Sequence, residues 1–417
     1  MVARELYEGA HEAELENGLR ILVEEVPLSR SVSVGLWVRA GSRDDPPDAP
    51  GIAHFIEHLA FKGTARRDAN RISREIDEVG GHLNAATGKE STFYYADVPA
   101  DGLPTAVDVL ADLVFAPRFD ADQIERERNV VLEEIRGHLD DPEQSAYDLF
   151  SAGLWNDGHP LSHPVLGTQE AIAAATRSEV ASHHARYYRP EHAILVACGA
   201  VKTGPLVDQA EELFGAAENG AEIPVPRTAP VFHPERSHHE RPTGQTHVYF
   251  GLAGPDSPND DRFPLEVVNS VLGDGPSSRL FRSVREDRGL AYAVASNLTC
   301  YSDCGLWLTY AGVAPRTVSP VIDLVSAEFE RLRTEPIPED ELDLAKAKLR
   351  GHLILGLETN GNRALRLATN AMHRREILSP DQLLARLDRV DQEEARRVVA
   401  RYLRPDGINL TTVGPAA

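Results

Sequence analysis

Two periods of hydrophobicity alternate along this chain. Residues 18 to 26 and 31 to 40 read as strands. In the second, Val32, Val34, Leu36 and Val38 alternate with Ser33, Gly35, Trp37 and Arg39, the period of two that gives one buried face. Residues 41 to 50, rich in Pro and Asp, form a loop. From Gly51 to Phe61 the period becomes helical. At about 100° per residue, Ile52, Phe55, Ile56 and Leu59 take one side, and His54, Glu57, His58 and Phe61 the other. Arg71 to Val79 reads as an amphipathic helix ended by Gly80 and Gly81. Residues 82 to 87 and 91 to 98 read as strands turned at Gly88-Lys89-Glu90, and residues 103 to 115 as a helix. Pro117 breaks that pattern, and a long helix begins near Asp120. Residues 154 to 168 are loop, 169 to 186 helical and 193 to 199 an apolar strand. After Gly215, five prolines (Pro224, Pro226, Pro230, Pro234 and Pro242) mark a linker.

Chemistry sits on two of these helices. His54 and His58, at i and i+4, lie one above the other, so both imidazoles reach one metal ion. Glu57 shares their face, which makes the arrangement H-x-x-E-H. On the long helix, Ile124, Glu127, Val130, Val131, Glu134 and Ile135 fall within an arc of roughly 140°, whereas Glu125, Arg126, Glu133 and Arg136 point elsewhere. Two carboxylates in an apolar stripe must be paired, protonated or metal-bound. Salt bridges to buried arginines would satisfy them. The upstream histidine pair, which lacks a third ligand, favours a metal. Other histidines carry less. His183 and His184 diverge by about 100° on a helix. His238-His239-Glu240 falls in the linker, and His159 and His163 fall in a loop.

The chain repeats itself. Residues 186 to 199 match 401 to 414 at a constant offset of 215 in Arg, Tyr, Arg, Pro, Leu and the final Gly. Gln245 to Gly254 echoes the Val32 strand, and Pro338 to Leu342 opens a helix as Asp120 to Ile124 does. The second copy lacks H-x-x-E-H and places Ala345 and His352 where the first has Glu127 and Glu134. The expected architecture is α+β. Two homologous domains, 1–217 and 243–417, each carry an antiparallel-rich mixed sheet with helices mainly on one face. A linker, 218–242, joins them.

At 417 residues, 42% hydrophobic and 26% charged, the chain has the composition of an ordinary globular protein. No apolar run approaches the roughly 20 residues of a membrane helix. The N-terminal residues show no secretion signal, and Cys198, Cys300 and Cys304 fit neither a disulfide framework nor a cysteine zinc site. A cytoplasmic location is the expectation. The net charge of −22 serves solubility first. It also favours basic peptides as partners and disfavours nucleic acid and anionic membranes.

His54-Phe55-Ile56-Glu57-His58 followed 76 positions later by Glu134, with Glu127 seven residues before it, resembles the inverted-motif zinc peptidases. These include pitrilysin, insulysin and the mitochondrial processing peptidase β subunit, and the chain is most similar to their short bacterial members. The resemblance extends over Gly81 to Tyr95, Tyr187 to Pro190 and the linker. It implies Zn²⁺ held by His54, His58 and Glu134, with Glu57 as general base and Glu127 holding a ligand in place. It implies that Leu83, Asn84, Ala85, Ala86 and Thr87 form a sheet edge to which substrate adds as a strand. Arg285 and Tyr292, in the second half, would bind substrate backbone or stabilise the oxyanion. The implied activity is endoproteolysis of unfolded peptides or presequence-like segments in a chamber closed by two two-domain units. The chain would be a homodimer, or the active subunit of a heterodimer with a zinc-less homologue. The rival reading is a noncatalytic scaffold or peptide-binding subunit of the same fold.

Overall fold

A computed structural model describes residues 3–155, 158–217, 225–374 and 376–415. Its twelve strands are β1 (Arg4–Tyr7), β2 (Ala10–Glu14), β3 (Arg20–Glu25), β4 (Ser31–Val38), β5 (His82–Thr87), β6 (Thr92–Pro99), β7 (Ala193–Gly199), β8 (Arg236–Glu240), β9 (Thr246–Gly254), β10 (Ala291–Cys300), β11 (Gly305–Val313) and β12 (Asn409–Gly414). Two compact units exchange segments. The first comprises the chain through Gly137, then His163–Arg227 and Gly356–Ser379. The second comprises His138–Ser162, Thr228–Leu355 and the chain from Pro380 on.

In the first unit the sheet order is β1-β2-β3-β7-β4-β6-β5, with β3 and β7 parallel and the other neighbours antiparallel. Helices Ile52–Ala60 and Leu103–Phe115 cover one face. There Val32, Val34, Leu36 and Val38 pack with Ile52, Phe55, Ile56 and Leu59 in one apolar core. The alternation along β4 predicts one buried face, yet every residue from Val32 to Val38 is buried. The reason is a helix drawn from the second half of the sequence. Asn360–His373 lays Ala364, Leu367, Ala368 and Ala371 over Leu22, Trp37, Ile194 and Val196 on the other face. Strand β5 is the sheet edge, as expected. The single helix expected over 169 to 186 is two, Gln169–Ala174 and Arg177–Tyr187, because Thr176 caps the second: its Oγ1 accepts from Glu179 N, and its own N–H donates to the Glu179 carboxylate.

In the second unit the order is β10-β11-β9-β12-β8, with only β12 and β8 parallel. This repeats β5-β6-β4-β7-β3 in order and sense, so the internal repeat is structural. Two expectations change. The stretch 218–242 contains β8, the counterpart of β3, rather than being linker throughout, and its residues 218–224 lie outside the described residues. Helix Pro142–Leu154, unmarked by the sequence pattern, packs Ala146, Phe150 and Leu154 against Tyr249, Leu306 and Val413. The units therefore cut across the expected halves, 1–217 and 243–417, at these two helices. Among the described residues no helix is long and apolar enough to cross a membrane.

Candidate metal centre

Helix Ile52–Ala60 starts at a residue that cannot cap it. Gly51 has no side chain and adopts φ 95°, where a Cβ would stand 2.5 Å from the Leu166 carbonyl oxygen. The orphan N–H groups of the first turn go instead to Asp45. Gly51 N donates to its Oδ2 at 2.6 Å and Ala53 N to its Oδ1 at 3.0 Å. Burial pushes the Asp45 carboxyl up to about 8, against the pull of those two bonds. The helix then buries Phe55 and Ile56 and turns His54, Glu57 and His58 towards the long helix Ala121–Asp140.

His54, His58 and Glu134 come together. Among the described residues they are the one group of three whose ligand atoms all lie within 4.8 Å of one another. His58 Nε2 is 3.4 Å, and His54 Nε2 3.8 Å, from Glu134 Oε2. These separations exceed a good hydrogen bond. Tetrahedral ligands at zinc bond lengths stand about 3.3 Å apart. Burial, with His58 nearby, lowers the His54 pKa to about 4, so the ring is neutral at neutral pH, as a ligand must be. Its buried Nδ1 has no hydrogen-bond partner among the described residues. Two imidazoles and one carboxylate fit a divalent zinc-type ion with a remaining coordination position.

The helical arc needs one correction. Ile124, Glu127, Val131 and Ile135 are buried, but Val130 is 49% exposed and the Glu134 side chain 45% exposed. Both lie on the same edge of the arc, where the core gives way to solvent. Glu127 is buried: its Oε2 lies 3.4 Å from His58 Nδ1 and its Oε1 2.8 Å from Lys62 Nζ. The carboxylate thus faces the back of one imidazole while a lysine offsets its charge. Glu57 is half-buried, and burial raises its pKa. A bond from Thr87 and the charge of His58 oppose that rise, and Glu134 adds to it. Thr87 Oγ1 donates to Glu57 Oε2 at 2.5 Å.

Sequence spacing did not show Asp45, Lys62 or Thr87. A glycine at the helix start was the available sign that a cap must come from elsewhere. Lys62 continues the i, i+4 row of His54 and His58. Thr87 was expected only as part of the substrate edge; its bond to Glu57, in another element, left no sign. Leu83, Asn84, Ala85 and Ala86 lie with it on the edge strand. In the second unit, Arg285 lies on a π-helical turn, Phe281–Glu286, with its guanidinium 4.9 Å from the Phe281 ring centroid and 5.9 Å from that of Tyr292. Tyr292, on β10, is 76% exposed. Of the remaining histidines, His184 Nε2 meets the Val114 carbonyl at 2.8 Å, His183 packs on Tyr187, and His238 and His239 are on β8 rather than in linker. A cavity of about 820 Å³ on the first unit is lined by Trp37, Phe93, Tyr95 and Arg363 and by none of the metal-centre residues.

Comparisons with known proteins place the chain in a family. Residues 20–169 match the family model for insulinase (peptidase family M16), and residues 174–349 match the model for the M16 inactive domain. A protein of Mycobacterium bovis named an uncharacterised zinc protease is 40% identical over 405 residues, covering 96% of this chain and 92% of its own. One of the same description from Bacillus subtilis is 34% identical, covering 96% and 97%. A protease from Helicobacter pylori has the same fold, with TM-score 0.91 at 22% identity over 97% of this chain and 99% of its own. With identity of this level running almost end to end, the chain belongs to the insulinase family of peptidases, family M16.

Proposed function

We propose that the chain is a zinc-dependent endopeptidase of H-x-x-E-H type acting on unfolded peptides. The observation that carries this is the convergence of His54, His58 and Glu134 with Glu57 beside them on the same helix face. The naming of its relatives as zinc proteases supports the choice of metal. Bound there, zinc would supply a Lewis acid that makes a water acidic at neutral pH. Glu57 would accept a proton from the attacking water and return it to the leaving amine. Glu127 would fix the tautomer and orientation of His58 through Nδ1. A substrate strand pairing with Leu83 to Thr87 would gain backbone hydrogen bonds at the open edge of the sheet with little demand on sequence. Arg285 and Tyr292 would contact substrate backbone or the developing oxyanion, and the working form would be a homodimer, or a heterodimer with a zinc-less homologue, enclosing the substrate. Metal analysis with cleavage of an unstructured peptide tests the proposal. About one zinc per chain and cleavage abolished by a chelator are expected. Zinc without cleavage would instead favour a peptide-binding or scaffold role.

A further inference from the structure

Glu57 must present its carboxylate in one orientation to act as a base, and it is only half-buried, with its helix ending three residues later. What holds it comes from the edge strand. Thr87 is the last residue of β5, and its hydroxyl lies 2.5 Å from Glu57 Oε2. An ionised carboxylate only accepts, so the single hydroxyl proton of Thr87 points to Glu57. The hydroxyl is itself fixed. Thr87 pairs with Thr92 across the β5–β6 ladder. Thr92 Oγ1 donates to the Ala40 carbonyl at 2.9 Å and stands 3.5 Å from Thr87 Oγ1. Thr87 faces the helix side of the sheet together with Leu83 and Ala85, which pack against the core.

We propose that Thr87 is a positioning residue whose hydroxyl locks the Glu57 carboxylate, tying the proposed base to the strand on which substrate would dock. This rests on the peptidase reading above and goes beyond it. The segment that binds the peptide and the group that moves the proton are one hydrogen-bonded unit. A strand pairing with β5 fixes the backbone of Thr87 and thereby Glu57, so a peptide held in register meets a base already oriented. One lone pair of Glu57 Oε2 is committed to Thr87, which leaves Oε1 the freer of the two oxygens to accept the proton.

The test is Thr87→Val, which keeps the β-branched shape and removes the hydroxyl. We expect kcat to fall about 10- to 100-fold, with KM and zinc affinity changed less than about twofold. Thr87→Ser should recover most of the rate. Wild-type kcat in the valine variant, or a loss confined to KM or zinc, would overturn the proposal. A second readout is independent of turnover. With carbon-13-labelled glutamate, the Glu57 side chain should show a single ordered conformer in the intact chain and rotamer averaging in Thr87→Val. An unchanged Glu57 signal would overturn the lock. Persistent ordering in a chain that binds zinc but cleaves nothing would support the lock and sink the peptidase reading alone.

Discussion

Glu133 and Glu134 are consecutive carboxylates that one helix turns to different partners. Glu133 pairs with Arg136 in solvent, whereas Glu134 faces both histidines. Exposed i,i+3 pairs contribute little, so Glu133→Gln should leave zinc affinity unchanged. Glu134→Gln removes the carboxylate proposed as the third ligand and should weaken it about 100-fold or more. Competition with a chromogenic chelator measures both, and equal effects would contradict the assignment. Helical phase made this contrast legible in the sequence. It also misplaced Val130 and Glu134 within the buried stripe, because phase gives an angle and not the edge at which a core stops. Contacts across elements, such as Thr87 to Glu57 or Lys62 to Glu127, leave no mark in local spacing.

The metal helix depends on how its N-terminus is built. Gly51 is left-handed and meets backbone atoms of Leu166 and Gly167 closely. Gly51→Ala should therefore destabilise the first unit by about 1–3 kcal/mol through strain and contact, read by thermal unfolding, with weaker zinc binding alongside. Little change in either would mean that the loop yields. Asp45 adds a pH dependence. The native state holds its proton up to about 8, whereas the unfolded chain releases it near 3.8, the ordinary value for an aspartate. The native state thus binds more protons between those values, and this contribution to stability falls as pH rises through that window. Asp45→Asn cannot titrate, so it should gain on the wild type in denaturant midpoint from pH 4 towards pH 8. A difference that is flat, or that runs the other way, would contradict the buried, protonated carboxyl. Helices Ile52–Ala60 and Leu103–Phe115 were legible from their helical period between turn residues, and strand β7 as an unbroken apolar run. Strand β8 was not. Its residues Arg236 to Glu240 are polar, and tertiary pairing with β12 makes the strand.

At the scale of the whole chain, the sequence repeat predicts two like units and the structure has them. Their boundaries were hidden because two helices leave their own half of the sequence. Asn360–His373 covers the Trp37 face of the first sheet, and Pro142–Leu154 the Tyr249 face of the second. A polypeptide ending at Arg227 would thus leave Trp37, Ile194 and Val196 uncovered. It should bind a hydrophobic dye strongly and melt broadly, and a separate 356–379 peptide should reduce that binding. A sharp melt of the 1–227 fragment alone would show that the exchanged helix is dispensable. In the full chain, Leu367→Ala should cost about 2–5 kcal/mol and loosen hydrogen exchange in β4 and β7. The central claim is that one unit carries metal chemistry with Glu57 as its base. Its most direct test is Glu57→Gln in the intact chain, scored for zinc content and for cleavage of an unstructured peptide. Wild-type zinc with cleavage reduced about 1,000-fold or more is the expected result; cleavage at the wild-type rate would contradict it.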